Sequence, residues 1–166
     1  MNRLQKSLVL VAAIAVPAAA HSTFAPVPEN LCFASGATTY RIAHHAAAPD
    51  FRIRIADASA RADLRMQLVD RAEIADFVLV DDFSGGEPVS CRSSTPIQTV
   101  ALDADTAKPD VTVNLSADAA APDYKIYVHS VRYSQQDAAA LLAAMWKTSQ
   151  RREARNQQHE ATGSIR

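Results

Sequence analysis

Four large apolar residues, Phe77-Val78-Leu79-Val80, follow one another without a polar interruption, and no other run of this kind occurs after residue 20. A strand that is apolar on both faces must be covered on both faces. The run therefore predicts a central strand of a sheet. Substitution of Val78 or Val80 is accordingly expected to cost folding stability. The polar segment that follows, from Asp81, marks the point where a buried strand returns to water.

Short segments on both sides of this run alternate between apolar and polar residues, as half-buried strands do. In 51–56, for example, Phe51, Ile53 and Ile55 alternate with Arg52 and Arg54. Similar segments lie at 39–44, 64–69, 97–102, 111–115 and 124–129. Only 57–63 separates the segments 51–56 and 64–69, whereas a parallel return normally takes a dozen or more residues. The spacing therefore predicts antiparallel pairing, and no internal repeat stands out beyond the regular spacing of strands.

One helix is predicted from Ser134 onward. Ser134 followed three residues later by Asp137 resembles a capping box. The helical spacing of several apolar residues predicts a single stripe that covers a sheet face. These residues are Ala138, Leu141, Leu142, Met145 and Trp146. The stripe stops at residue 147, and the segment 147–166, which carries a net charge of +3, is predicted to be a basic helix end followed by a disordered tail from Asn156.

Together these patterns predict an α+β fold. It has six or seven short, mostly antiparallel strands, with one C-terminal helix packed on a sheet face. A β-sandwich with an appended helix is the alternative. Residues 31–146 form the single predicted domain, and 21–30, which contains two prolines, is an extended lead-in.

Residues 1–20 have the three parts of a secretory signal. Arg3 and Lys6 form a positive start, an apolar stretch runs to Val16, and three alanines ending at Ala20 offer a cleavage site. The apolar stretch is shorter than the roughly 20 residues that cross a bilayer. The mature chain is therefore expected to be periplasmic or secreted and to have no membrane span. Its net charge is −3, because the signal removes two of the 17 basic residues that face 18 acidic ones.

Two cysteines, Cys32 and Cys91, remain after cleavage. An even number of cysteines in an exported chain favours a disulfide. The bridge would close a loop of roughly 60 residues and would contribute about 4 kcal/mol by a chain-entropy estimate. A pair of metal-binding or redox thiols is the competing interpretation, but the Cys-x-x-Cys spacing is absent.

Cleavage after Ala20 would make His21 the N-terminal residue. Its amino nitrogen and imidazole could then hold one copper ion, since imidazole suits copper. His44, His45 and His129 are the possible third ligands. The simpler interpretation is that His21 merely follows the cleavage site and that no cofactor binds.

Other chemistry has weaker support in the sequence. Asp81 and Asp82 at the end of the apolar run are a candidate acid pair for a small hydrolase, although turn carboxylates are the simpler explanation. The Gly-x-Ser-x-Gly, His-Glu-x-x-His and glycine-rich phosphate motifs are absent. The outward arginines Arg52, Arg54 and Arg65 form a candidate contact face. The sequence thus favours a small, non-enzymatic binding module for a protein or envelope component, with no nucleic-acid partner and with copper binding as the alternative.

Overall fold

The computed structural model describes residues 31–44, 46–56, 61–80, 96–103 and 106–163. These residues contain eight strands and one long helix. The strands are β1 (Leu31–Ser35), β2 (Thr38–Ile42), β3 (Phe51–Ala56), β4 (Leu64–Leu68), β5 (Phe77–Val80), β6 (Ile97–Leu102), β7 (Val111–Ser116) and β8 (Tyr124–His129), and the helix is α1 (Gln135–Gly163). A short 3-10 helix, Ala72–Ile74, lies between β4 and β5.

The eight strands form one sheet in the order β1-β2-β6-β3-β7-β4-β8-β5, curled into a half-barrel. Only β1 and β2 pair in antiparallel orientation, through a two-residue turn in which Gly36 has a φ of 56°. The other six neighbouring pairs are parallel. The predicted mostly antiparallel sheet is therefore wrong, as is the alternative of a β-sandwich.

The antiparallel prediction failed because neighbouring strands are strongly staggered. Ile42 at the end of β2 and Phe51 at the start of β3 both align with Val100 of the intervening strand β6. The same alignment recurs along the sheet. Each later strand begins nearly level, along the strand direction, with the end of the strand two places earlier in the sheet order. Each connection therefore crosses over one intervening strand and does not run back along the length of a strand. Eight residues are enough for such a parallel connection.

Two threads of chain interleave to build this sheet. The first thread comprises β2, β3, β4 and β5, and the second thread, β6, β7 and β8, fills the three gaps between them. Strands of the first thread begin 13 residues apart, at Thr38, Phe51, Leu64 and Phe77. The second thread keeps the same interval between β7 and β8. The chain therefore does contain an internal repeat, which the sequence analysis missed.

An aspartate stands immediately before five of the strands and marks this repeat. These residues are Asp50, Asp63, Asp76, Asp110 and Asp123. Each one donates its backbone N–H to the carbonyl of a residue in the neighbouring strand and accepts the N–H of that same residue with Oδ2. For Asp63 and Thr112 both distances are 2.8 Å. The carboxylate thus replaces the carbonyl that is missing where the chain leaves the sheet, and it caps the strand.

The first half of α1 lies inside the curl of the sheet. Seven consecutive residues, Ala138–Ala144, are buried, and they span nearly two turns of helix, so every side of α1 is covered there. The helix packs mainly against six strands, which are β2, β3, β4, β6, β7 and β8. A single apolar stripe on one sheet face, as the sequence predicted, does not describe this packing. Five of the seven residues are alanines because the sheet approaches α1 from several directions.

Both ends of the buried part of α1 are anchored by polar contacts. At its start Ser134 N–H donates to Asp137 Oδ2 at 2.8 Å and Asp137 N–H donates to Ser134 Oγ at 3.1 Å, which confirms the predicted capping box. At the other end Arg151 lies 4.6 Å from the Phe51 ring centroid and 3.4 Å from Asp110 Oδ1. Beyond this point α1 continues to Gly163, and residues 149–159 are exposed.

The apolar run Phe77–Val80 forms β5, which is an edge strand. Leu79 points into the core and is 4% exposed, whereas Val78 and Val80 point away from α1 and are 44% and 55% exposed. The predicted central strand is therefore wrong. An uninterrupted apolar run looks the same in sequence whether its second face is covered by the protein itself or left open.

The aspartate caps predict a specific pattern of stability losses. Asp63→Ala should lower the free energy of unfolding by about 1–3 kcal/mol, because the N–H of the buried Thr112 loses a charged acceptor. Asp63→Asn should lose less, since a side-chain carbonyl remains. Urea unfolding measures both. Asp70→Ala is the control, because the Asp70 side chain is 92% exposed; equal losses at positions 63 and 70 would contradict the capping role.

The enclosure of α1 predicts that its alanines cannot be enlarged. Ala140→Leu should destabilise the fold by about 1–3 kcal/mol or more, because the added carbons have no space inside the curl. Ala154→Leu, on the exposed part of the same helix, should leave the melting temperature almost unchanged. Circular dichroism during heating measures both variants. Similar melting temperatures for the two would show that the sheet does not surround the helix closely.

Candidate functional site

The outer face of the sheet, which points away from α1, differs in character at β5. In every repeat the second and fourth residues after the capping aspartate point to this face. After four of the aspartates these pairs are polar or aromatic: Arg52 and Arg54, Arg65 and Gln67, Thr112 and Asn114, Lys125 and Tyr127. After Asp76 the pair is Val78 and Val80. Comparison within the repeat therefore identifies β5 as the strand with an unusual outer surface.

The exposed large hydrophobic residues of the described chain are Ile74, Val78, Val80 and Val131, and we call these four residues the β5 patch. Val78 aligns with Tyr127 of β8, and Val80 aligns with His129. The rings of Tyr127 and His129 are stacked, with centroids 6.4 Å apart. Val78 and Val80 are exposed on the same face of β5, and exposed apolar surface of this kind marks interaction sites in soluble proteins.

β5 also presents one edge of its backbone. Among the strands in the described ranges, β5 pairs only with β8. The far end of the curled sheet approaches it, since the Phe33 ring of β1 and the Phe77 ring of β5 meet edge to face with centroids 6.1 Å apart. The two ends of the sheet therefore meet through side chains on the inner face and leave a seam between β1 and β5.

The segment that leads into β5 is acidic. Asp70, Glu73 and Asp76 are exposed, and Arg71 is the one basic residue between them, 3.9 Å from Asp70. The sequence continues past β5 with Asp81-Asp82, which lie outside the described residues. The β5 patch is therefore flanked in sequence by negative charge on both sides.

The predicted arginine face lies on the outer side of the sheet, across β3 and β4. Arg54 donates to Thr112 Oγ1 at 3.3 Å and is half-buried, so part of its hydrogen-bonding capacity is used within the fold. Arg52 is also half-buried, whereas Arg65 is exposed and lies 3.9 Å from Asp123. The structure thus brings the three arginines to one face, and their role in contacting a partner stays a prediction.

The structure describes two of the histidines proposed as copper ligands. His44 lies in the β2–β3 connection beside the start of α1, and His129 ends β8. His21 and His45 lie outside the described residues. Within the described residues no group of three or more histidine, cysteine, aspartate or glutamate side chains is placed to hold a metal ion. Copper binding by His21 stays a prediction.

The His44 contact is best explained as part of the helix cap. Its Nε2 lies 3.2 Å from Asp137 Oδ1, at ion-pair distance but without the alignment of a hydrogen bond. Ser134 Oγ donates to Asp137 Oδ2 at 2.8 Å and is not directed to the imidazole. The three residues therefore lack the order of a nucleophile activated by histidine, in which the hydroxyl donates to the ring.

The predicted disulfide involves one described cysteine. Cys32 is buried in β1, and its carbonyl accepts a hydrogen bond from the Tyr133 hydroxyl at 3.0 Å. Cys91 lies outside the described residues, so the pairing stays a prediction. The candidate acid pair Asp81 and Asp82 also lies outside them.

Comparison with known proteins supplies no relative. No family model matches the chain, and neither a curated protein nor a solved structure is significantly similar to it. No helix in the described part of the chain is long and apolar enough to cross a membrane. The sequence analysis interpreted Val78 and Val80 as part of a buried strand, so their exposure is identified from the structure alone. Aligning the outward positions of the 13-residue repeat would have revealed it.

The position of β5 reverses the stability expectation for its valines. Val80→Thr should change the free energy of unfolding by less than about 0.5 kcal/mol, because the side chain is 55% exposed. Leu79→Ala should cost about 2–5 kcal/mol, because Leu79 fills core space. Chemical denaturation of the two variants checks the contrast. A large loss for Val80→Thr would mean that the outer face of β5 is covered.

Proposed function

We propose that the mature chain is an exported binding module that docks on a protein partner through the β5 patch. The observation that carries this proposal is the pair Val78 and Val80, which are exposed where the other repeats place polar or aromatic residues. Apolar residues on an exposed edge strand favour association, and proteins normally protect such edges with charged residues or proline. An apolar edge on a strand therefore favours a binding role.

The surroundings of the β5 patch fit a protein interface. Aromatic residues are enriched at such interfaces, and Tyr127 and His129 stand beside the two valines in the adjacent strand. The acidic residues Asp70, Glu73 and Asp76 supply a polar margin. The predicted signal at 1–20 places the partner in the periplasm or outside the cell. The partner is then a protein of that compartment or of the envelope.

Site-specific photo-crosslinking in cells that export the chain tests this proposal. The variant Val78→p-benzoylphenylalanine should give, on irradiation, one discrete adduct larger than the monomer, because the ring would lie within the interface. Ala47→p-benzoylphenylalanine is the matched control, since Ala47 is exposed in the β2–β3 connection. Mass spectrometry of the adduct identifies the partner. Absence of an adduct at position 78, or the same adduct from position 47, would reject docking through the β5 patch.

A further inference from the structure

We infer that the partner binds by adding an extended segment to β5 as a further strand of the sheet. The inference rests on the proposed docking through the β5 patch and specifies how that docking occurs. The ligand is a peptide segment with apolar residues at alternate positions and basic residues at its ends. Four features of the sheet lead to this ligand.

The backbone of β5 has groups directed to its open edge. Asp76 donates its N–H to the carbonyl of Lys125 in β8 at 2.8 Å. Successive residues of a strand direct their N–H and C=O groups to opposite sides. The Ile126 carbonyl accepts from Val69 N–H on the β4 side, so Lys125 and Tyr127 face β5. Because Phe77 aligns with Ile126, Phe77 and Leu79 direct their groups to β8, as Asp76 does before the strand begins. Val78 and Val80 therefore direct theirs to the side away from β8. No strand within the described residues pairs with that side, so it offers a short ladder to an incoming segment.

The interleaved topology leaves a strand position beside β5. A second-thread strand lies between each pair of first-thread strands, and β8 separates β4 from β5. With the same 13-residue interval the strand after β8 would begin near residue 137, on the open side of β5. The chain instead enters α1 at Gln135 and runs back inside the curl. The sheet therefore ends where its own pattern would continue.

Side chains on either side of the open edge define what the added strand must carry. Residues of that strand that point outward lie beside Val78 and Val80, and apolar cross-strand neighbours stabilise such pairs. Inward residues face the seam where the Phe33 ring already lies against Phe77. They must therefore be small. The expected segment alternates apolar outward residues with small inward ones.

Charge decides between a foreign segment and a second copy of this chain. Asp76 precedes β5, and Asp81 and Asp82 follow it. Antiparallel pairing of two β5 strands would bring the acidic flank of one copy beside that of the other, and like charges across strands are destabilising. Basic residues at the ends of a foreign segment would instead be attracted by the acidic residues that precede and follow β5 in the sequence. The partner segment is therefore a heterologous, basic-flanked one.

Binding of a synthetic peptide to the full mature chain tests the inference. The probe is fluorescein-labelled Lys-Val-Ser-Val-Ser-Val-Lys, and its anisotropy reports binding. Val78→Ser/Val80→Ser should weaken binding at least about tenfold, because the outward contacts are lost. The matched variant Ala47→Ser/Ala48→Ser, on an exposed connection, should bind as the parent does. A peptide with proline in place of the central valine should not bind, because it loses a ladder donor.

Hydrogen exchange identifies the mode of binding. Saturating peptide should slow exchange of the Val78 and Val80 amides at least about tenfold, because they become ladder donors. Amides of these residues that are already protected in the peptide-free chain would overturn the inference, because another segment of the chain would then occupy the edge. Concentration-dependent dimerisation that Val78→Ser/Val80→Ser abolishes would overturn it in favour of a second copy.

The two proposals fail in different ways. If the peptide does not bind while position 78 still crosslinks to a partner, strand addition is rejected and docking through the β5 patch stands. Peptide binding without protection of the Val78 and Val80 amides rejects strand addition in the same way. If neither crosslinking nor peptide binding occurs, both proposals fall.

Discussion

The stagger of one to three residues between the starts of neighbouring parallel strands is the constraint on which the rest of this fold depends. Because of this stagger, each strand starts level with the end of the previous strand of its thread. Ile42 and Phe51, for example, both align with Val100. Connections can then be short without reversing the chain. Because of the stagger, one backbone N–H of the neighbouring strand lies just before the start of each of these strands and has no backbone carbonyl to donate to. The aspartates that precede β3, β4, β5, β7 and β8 supply that missing acceptor.

The same stagger is coupled to the alanine-rich helix. Strands that are strongly offset tilt relative to the axis of the curl, and greater tilt widens a barrel of a given strand number. A wide curl needs something to fill it, and α1 does so with the run Ala138–Ala144. Small side chains let the sheet approach the helix backbone on all sides. Thr148 then joins the sheet to the helix at the far end, since it accepts from Tyr40 and donates to the carbonyl of Ala144.

Local features of this molecule were readable from the sequence, and its topology was not. Alternation located the strands, including β3 and β7, and the capping box located the start of α1. The direction of the strands was predicted wrongly because the rule on connection length assumes that the two connected strands start level with each other in the sheet. Phe77–Val80 was assigned to the interior because apolar residues on two faces say nothing about which face the protein itself covers. The recurrence of aspartate every 13 residues was present in the sequence and carried both pieces of information. The predicted site residues His21, His45 and Cys91 lie outside the described residues, whereas the unusual pair Val78 and Val80 could have been found by aligning the outward positions of the repeat.

Interleaving has a consequence for the order in which the chain can acquire structure. No strand of the first thread hydrogen-bonds to another strand of that thread, so β2 to β5 gain their ladders only when β6, β7 and β8 arrive. Among the described strands, the β1–β2 hairpin is the only pairing between strands adjacent in sequence. Ordering residues 38–80 alone costs backbone entropy without the return of a ladder. An emerging chain therefore cannot form any of these parallel ladders until β6 has been made, and the sheet is complete only when β8 has been added.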